Sequence, residues 1–201
     1  MPELFVGPDG RPRCHWCGGA PEFLPYHDTE WGFPQPGDRP LFEKLCLEGF
    51  QSGLSWRTIL AKRENFRRAF HEFDIDRVAS FMPADIERLL QDSGIVRHRG
   101  KIQAVVHNAR CAQQMVRTEG SLAAFFRRFV PQTRADAAHG ASTSPESVAL
   151  SRELKKRGWK FVGPTTVYAF MQAMGMVNDH ASGCYVRALA DAAQRGKAVR
   201  P

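Results

Sequence analysis

Apolar residues recur along this 201-residue chain at helical spacing, and glycines and prolines interrupt the runs. Behind Pro40, the residues Leu41, Phe42, Leu45 and Leu47 predict a helix that loosens at Ser52 and Gly53, with a second helix resuming near Ser55. ENFRRAFHEF (64–73) and DRVASF (76–81) predict further short helices. Pro83 at a first helical position opens ADIERLLQDSG, which stops at Gly94. Ile102, Val105, Val106, Ala109 and Val116 share one stripe of a helix over 101–116, and 121–130 is amphipathic. A polar stretch over 131–146 is the candidate mobile connection. Ser144-Pro145-Glu146 then starts a helix running to about Arg157, and Pro164 opens another that ends at Gly175. Almost nothing reads as a strand and no repeat has a fixed period, so the pattern predicts an all-α globular protein.

Composition narrows the function classes. A hydrophobic share of 43% is enough to bury a core. No apolar stretch is long enough to span a bilayer, and MPELFVGPDGRPR lacks the basic-then-apolar order of a signal peptide, so a cytoplasmic protein without membrane contact is expected. Five cysteines are too few for a disulfide scaffold of this size. Cys46 and Cys111 fall in apolar helical patterns and read as small buried hydrophobes.

A formal net charge of +7 is compatible with a polyanionic partner. Basic runs lie near glycine turns: RHRGK at 97–101, RRF at 127–129 and KKRGWK at 155–160. The link GWKFVG joins a helix ending at Arg157 to one beginning at Pro164, a helix-hairpin-helix shape. Gly158 and Gly163 would let the backbone bend and bare the amides of the second helix's first turn, which attract phosphate. Such contacts position a duplex without reading its sequence. An ordinary packing corner is the alternative that spacing alone favours, and the neighbouring KKR offsets it. SGIVRHRGK repeats the ingredients at a second place, where His98, like His107, reads as a surface or capping residue.

Five potential soft ligands occupy opposite parts of the chain: Cys14 and Cys17 in RPRCHWCGG, His27, and His180 and Cys184 in NDHASGCYV. A tetrahedral structural zinc built from four of them would staple the termini together. Spacing alone favours Cys17 over His27. Cys14-His15-Trp16-Cys17 could instead serve thiol exchange, but the βαβ context of such sites is missing.

CHW at 14–16, YHDTEWG at 26–32, LFEKLCLEGFQSGLSW at 41–56, KREN at 62–65, GIVRHRGKIQA at 94–104, LKKRGWKFVG at 154–163 and VNDHASGC at 177–184 resemble, in order, the 3-methyladenine DNA glycosylase I family. The resemblance runs from about Arg13 to Cys184. It implies a helix-hairpin-helix glycosylase, monomeric, acting on double-stranded DNA with alkylated bases and releasing free 3-methyladenine. It also implies one structural Zn2+ per chain held by Cys14, His27, His180 and Cys184, with Cys17 left as a spare. On this reading 1–201 is one unit: 13–39 and 177–187 form the zinc region, 40–176 the helical body, and the hairpin lies near 147–175.

Methylation at N3 makes the adenine cationic, so its glycosidic bond is weakened and the departing base needs no protonation. Recognition is then the main task, and an extruded base must recover its unstacking energy in a pocket. A desolvated aromatic face holds a cation by ~1–2 kcal/mol. Trp56, Tyr26, Trp16 and Trp31 are the available faces, and the resemblance places Trp56 and Tyr26 at the pocket. Glu48, just before the break at Gly53, is the expected catalytic carboxylate, with a solvated helix residue as the alternative reading. Asp179 lies where the wider superfamily carries a catalytic Asp that this family does without; it reads as a structural or metal-supporting residue and as the runner-up acid. Gly53 and Leu54 are candidates for a wedge into the duplex, against the alternative of a buried leucine. Gly158, Lys160, Gly163 and Thr165 are the candidates for phosphate contact. A catalytically silent DNA-binding module would need only the hairpins, the charge and the zinc.

Overall fold

A computed structural model describes residues 3–131 and 141–196. Ten α-helices are present among them: α1 (Phe23–Thr29), α2 (Asp38–Gln51), α3 (Trp56–Ala69), α4 (Ile75–Ala79), α5 (Pro83–Gln91), α6 (Arg99–Glu119), α7 (Leu122–Arg127), α8 (Pro145–Lys156), α9 (Pro164–Ala173) and α10 (Val186–Gln194). Short polar side chains start several of them by accepting from otherwise unpaired first-turn amides. Ser55 caps α3, Asp74 caps α4, Ser121 caps α7, and Ser144 caps α8 ahead of Pro145. His98 does the same for α6, accepting from the Lys101 amide at 3.2 Å.

Three departures from the sequence pattern have physical causes. Residues 64–69 do not form a separate helix, because Phe66 and Ala69 continue the buried stripe that Ile59 begins on α3. The chain then reverses in a tight turn whose residues His71, Glu72 and Phe73 have φ of 50°, 56° and 54°. Near the N-terminus, β1 (Leu4–Val6) pairs antiparallel with β2 (Pro12–Cys14), Leu4 opposite Cys14, so the fold is mostly helical rather than all-α. Strands of three residues are too short to show a period of two. After about Val186, outside the resemblance, Val186–Gln194 form α10. Most of the connection expected to be mobile, 132–140, lies outside the described residues.

Two apolar clusters organise the chain. The larger one draws Phe42, Phe50, Phe66, Ile102, Leu150 and Phe170 from α2, α3, α6, α8 and α9. Phe50 and Phe66 are fully buried with ring centroids 4.6 Å apart, and each such side chain contributes roughly 1.5–3 kcal/mol by leaving water. The smaller cluster joins the two ends of the chain through Cys14, Ala181, Cys184 and Val186. There the Tyr185 amide donates to the Pro12 carbonyl at 2.9 Å, and the Ala181 amide donates to Cys14 Sγ at 3.2 Å.

Candidate active site and metal centre

α2 is buried along most of its length, including two charged residues one helical turn apart, Lys44 and Glu48. Glu48 is only 5% exposed, so the solvated-residue reading does not hold. Its Oε1 lies 2.9 Å from Lys44 Nζ. Lys44 Nζ also donates to the Tyr26 hydroxyl at 2.7 Å and sits 3.4 Å from the centroid of the Trp56 ring. Tyr26, from α1, faces Trp56, the first residue of α3, at 5.4 Å between centroids. Burial, followed by the charge of Glu48, pushes the Tyr26 phenol well above its usual range, so it stays protonated. Burial pulls the Lys44 ammonium down while Glu48 holds it up. A buried charge pair persists only when each member keeps its partner. Lys44 carried no weight in the sequence reading, although a lysine four residues before a glutamate in an apolar run is a signal for such a pair.

Trp16 borders this cluster, its ring 6.3 Å from Tyr26. Trp31 does not join it: its ring packs 5.2 Å from Trp16 and 4.6 Å from His180, on the side of the small cluster. Trp31 thus packs beside the Cys and His residues and reaches the Tyr26 side through Trp16.

Those residues converge directly behind Tyr26, since His27 follows it on α1. The donor atoms of Cys14, His27 and Cys184, all buried, lie within 4.8 Å of one another. His27 Nδ1 donates to Asp28 Oδ1 at 2.8 Å, which leaves Nε2 facing Cys184 Sγ at 3.5 Å. Asp28 is gripped by Arg13 at 3.0 and 2.8 Å, and Arg13 also holds Asp9. Carboxylate support of this kind orients a metal-binding imidazole. His180 Nδ1 bonds Asn178 Oδ1 at 2.9 Å, and its buried Nε2 has no partner among the described residues. Burial pulls the His180 pKa down to about 4, so near pH 7 the ring is neutral and the Nε2 lone pair is free. The His180 ring stands 5.0 Å from that of His27. Gly32 makes room for it, because a Cβ there would lie 2.6 Å from His180 Cε1. Two buried thiols, a supported imidazole and an orphaned buried nitrogen fit a soft divalent metal.

Cys17 is buried and, like His180, stands outside that group of three. Asp179 does not support His180; Asn178 does, and Asp179 accepts from Gln172 Nε2 at 2.5 Å and from the Tyr168 hydroxyl at 3.3 Å, tying the following loop to α9.

Leu54 is 42% exposed in the turn between α2 and α3, where Gly53 takes φ 80°; the buried-leucine reading is overturned. The α8–α9 turn bends at Gly158 with φ 85°, but its second left-handed residue is Phe161, and Gly163 is extended at φ −63°. Gly163 caps α9 without a side-chain bond to the first-turn amides, and Lys160 and Thr165 are exposed beside it. α6 holds both turns. Lys101 Nζ donates to the carbonyls of Phe50 at 2.8 Å and Ser52 at 2.5 Å, where its charge also suits the C-terminus of α2. Two turns along α6, Asn108 bonds both backbone groups of Lys160, and His107 Nε2 meets the Gly158 carbonyl at 2.8 Å. Seven residues of helix separate these anchors by about 10 Å. The basic runs are less free than their composition suggests, since Arg157 pairs with Glu119 at 2.6 Å and Arg99 with Glu87 at 2.7 Å.

The profile of a family described as methyladenine glycosylase matches residues 16–188. This chain belongs to the methyladenine glycosylase family. Within the family, it is 52% identical to the DNA-3-methyladenine glycosylase 1 of Escherichia coli K12 over 86% of this chain and 95% of that protein. It is 44% identical to the DNA-3-methyladenine glycosylase of Haemophilus influenzae over 86% and 96% of the two chains. A crystal structure of 3-methyladenine DNA glycosylase I superposes with a TM-score of 0.81 at 52% identity, covering 86% of this chain and 98% of that one. The Staphylococcus aureus enzyme, solved for the structural basis of its 3-methyladenine recognition, gives a TM-score of 0.79 at 35% identity over 84% and 92%. No described helix is long and apolar enough to cross a membrane.

Proposed function

We propose that this chain is a base-excision repair glycosylase that hydrolyses the N-glycosidic bond of 3-methyladenine in alkylated double-stranded DNA, leaving an abasic site. The observation that carries the reading is the buried carboxylate of Glu48 beside the aromatic faces of Tyr26 and Trp56, in a member of this family.

The lesion base is cationic, so the site needs a face and a counter-charge rather than an acid. Trp56 and Tyr26 receive the extruded ring, with Trp16 at the border. Glu48 accepts from the exocyclic amine and stabilises positive charge as it moves from purine to sugar. The bonding pair leaves with N9, water adds at C1′, and its proton goes to solvent. Leu54 fills the gap in the duplex from its exposed turn, with Gly53 allowing the bend. The α8–α9 turn acts as a helix-hairpin-helix, in which the free amides after Gly163, together with Gly158, Lys160 and Thr165, hold a phosphate. Cys14, His27, His180 and Cys184 hold a structural zinc. The ion would cross-link the chain ends and supply no reaction chemistry.

Incubation with methylated duplex DNA should release free 3-methyladenine, measured chromatographically. Tight binding to that DNA without base release would favour the silent binding module instead.

A further inference from the structure

We propose that Lys44 is a resident competitor for the base seat: its ammonium fills the place between Trp56 and Glu48 in the free protein, yields it to the cationic lesion base, and reclaims it once cleavage has made the base neutral, expelling the product. The inference rests on the reading of Tyr26, Trp56 and Glu48 as the base site.

The geometry is that of a bound cation. Lys44 Nζ stands 3.4 Å from the Trp56 centroid, 2.9 Å from Glu48 Oε1 and 2.7 Å from the Tyr26 hydroxyl. Those are the aromatic face, the counter-charge and the polar group offered to a methylated purine. Two positive charges cannot share one buried carboxylate, and a ring cannot stack where the ammonium lies. A base can therefore enter only by displacing Lys44. The surrounding charges are balanced apart from this pair: Arg63 of α3 is committed to Glu30 at 2.5 and 2.9 Å, and Tyr26 is a neutral phenol.

Charge decides which occupant wins. A cationic base replaces one cation by another, and Glu48 stays compensated. A neutral base would leave the carboxylate buried without a counter-ion, which is strongly unfavourable. When the C1′–N9 bond breaks, its electron pair neutralises the purine, water oxygen bonds C1′, and a proton is released to solvent. The base that entered as a cation thus becomes one that cannot hold the seat against the tethered ammonium. A lysine chain anchored on α2 competes at high effective concentration, since it stays tethered beside the seat.

The test is product inhibition by free 3-methyladenine in the unmodified protein and in Lys44→Met, which keeps a long apolar chain, with a structure of the unmodified protein bound to free 3-methyladenine. The inhibition constant should fall at least ten-fold in Lys44→Met, and the bound structure should show the base on Trp56 with Lys44 Nζ withdrawn from the ring. Unchanged or weaker inhibition in the variant overturns the inference. So does a bound structure in which the base stacks on Trp56 while the ammonium keeps its present position, a result that needs no variant to fold. A base bound away from Trp56 and Glu48 overturns the site assignment as well, which separates the two failures.

Discussion

Asn108 of α6 holds the backbone of Lys160 from both sides: its Oδ1 accepts from the Lys160 amide at 2.8 Å and its Nδ2 donates to the Lys160 carbonyl at 2.9 Å. A single side chain thereby fixes the α8–α9 turn against the helix that also anchors the turn bearing Leu54. Asn108→Ala leaves both backbone groups without their partner in a partly buried place, at a cost of about 1 kcal/mol. Urea denaturation should show that loss, and duplex affinity should drop while binding of free 3-methyladenine does not.

Glu48→Gln keeps the size of the side chain and one acceptor but removes the charge. Excision should fall by about 10²–10³-fold, the scale seen when one electrostatic partner of a transition state is removed. Single-turnover assays on methylated DNA give the rate, and far-ultraviolet circular dichroism checks that the helices persist. Retained excision would take Glu48 out of the mechanism.

Because Leu54 is largely exposed, Leu54→Ala should change stability by no more than about 0.5 kcal/mol. Its effect should appear on duplex substrate, where the vacated stack must be filled, and not on single-stranded substrate. Equal loss on both strands' forms would argue against a wedge.

Zinc content should approach one ion per chain by elemental analysis. Cys17→Ser should keep it, Cys184→Ser should lose it, and Gly32→Ala should weaken it by driving a methyl against His180. Chelation of the unmodified protein should lower its melting temperature, since a metal that binds only the folded state stabilises it. Metal lost in Cys17→Ser and kept in His27→Ala would reverse the ligand assignment.

Salt dependence offers a separate reading of the α8–α9 turn. Lys160→Ala should reduce the slope of log affinity against log salt by roughly one. An unchanged slope in a binding titration would place Lys160 away from phosphate.

The helices were legible because their signals are local. Apolar spacing, Ser144-Pro145 at the head of α8 and Pro83 at the head of α5 act within one or two turns, and these helices start where expected; α1 and α10 have no side-chain cap of this kind and were not foreseen. The placement of Glu48 was legible only as an option. Its neighbours in sequence are apolar, but whether a helix residue faces water depends on what covers it, and here α1 and α3 bring Tyr26 and Trp56 over the same face. Trp31 and Asp179 depend on the fold in the same way: their neighbours in sequence do not name their partners, which are the His180 ring for one and the Gln172 amide for the other.

By itself, the chain's pattern determined most of the helical segments and the resemblance that orders its chemistry, because those are properties of neighbouring residues. Only the tertiary structure decided which distant groups meet. Spacing made Cys17 a natural partner for Cys14, but donor atoms must converge in three dimensions, and it is His27 that reaches Cys14 and Cys184. Likewise, nothing local says that Lys44 rests on Trp56 rather than in water; that follows from the close approach of α1, α2 and α3, which leaves its charge no solvent and gives it Glu48 instead.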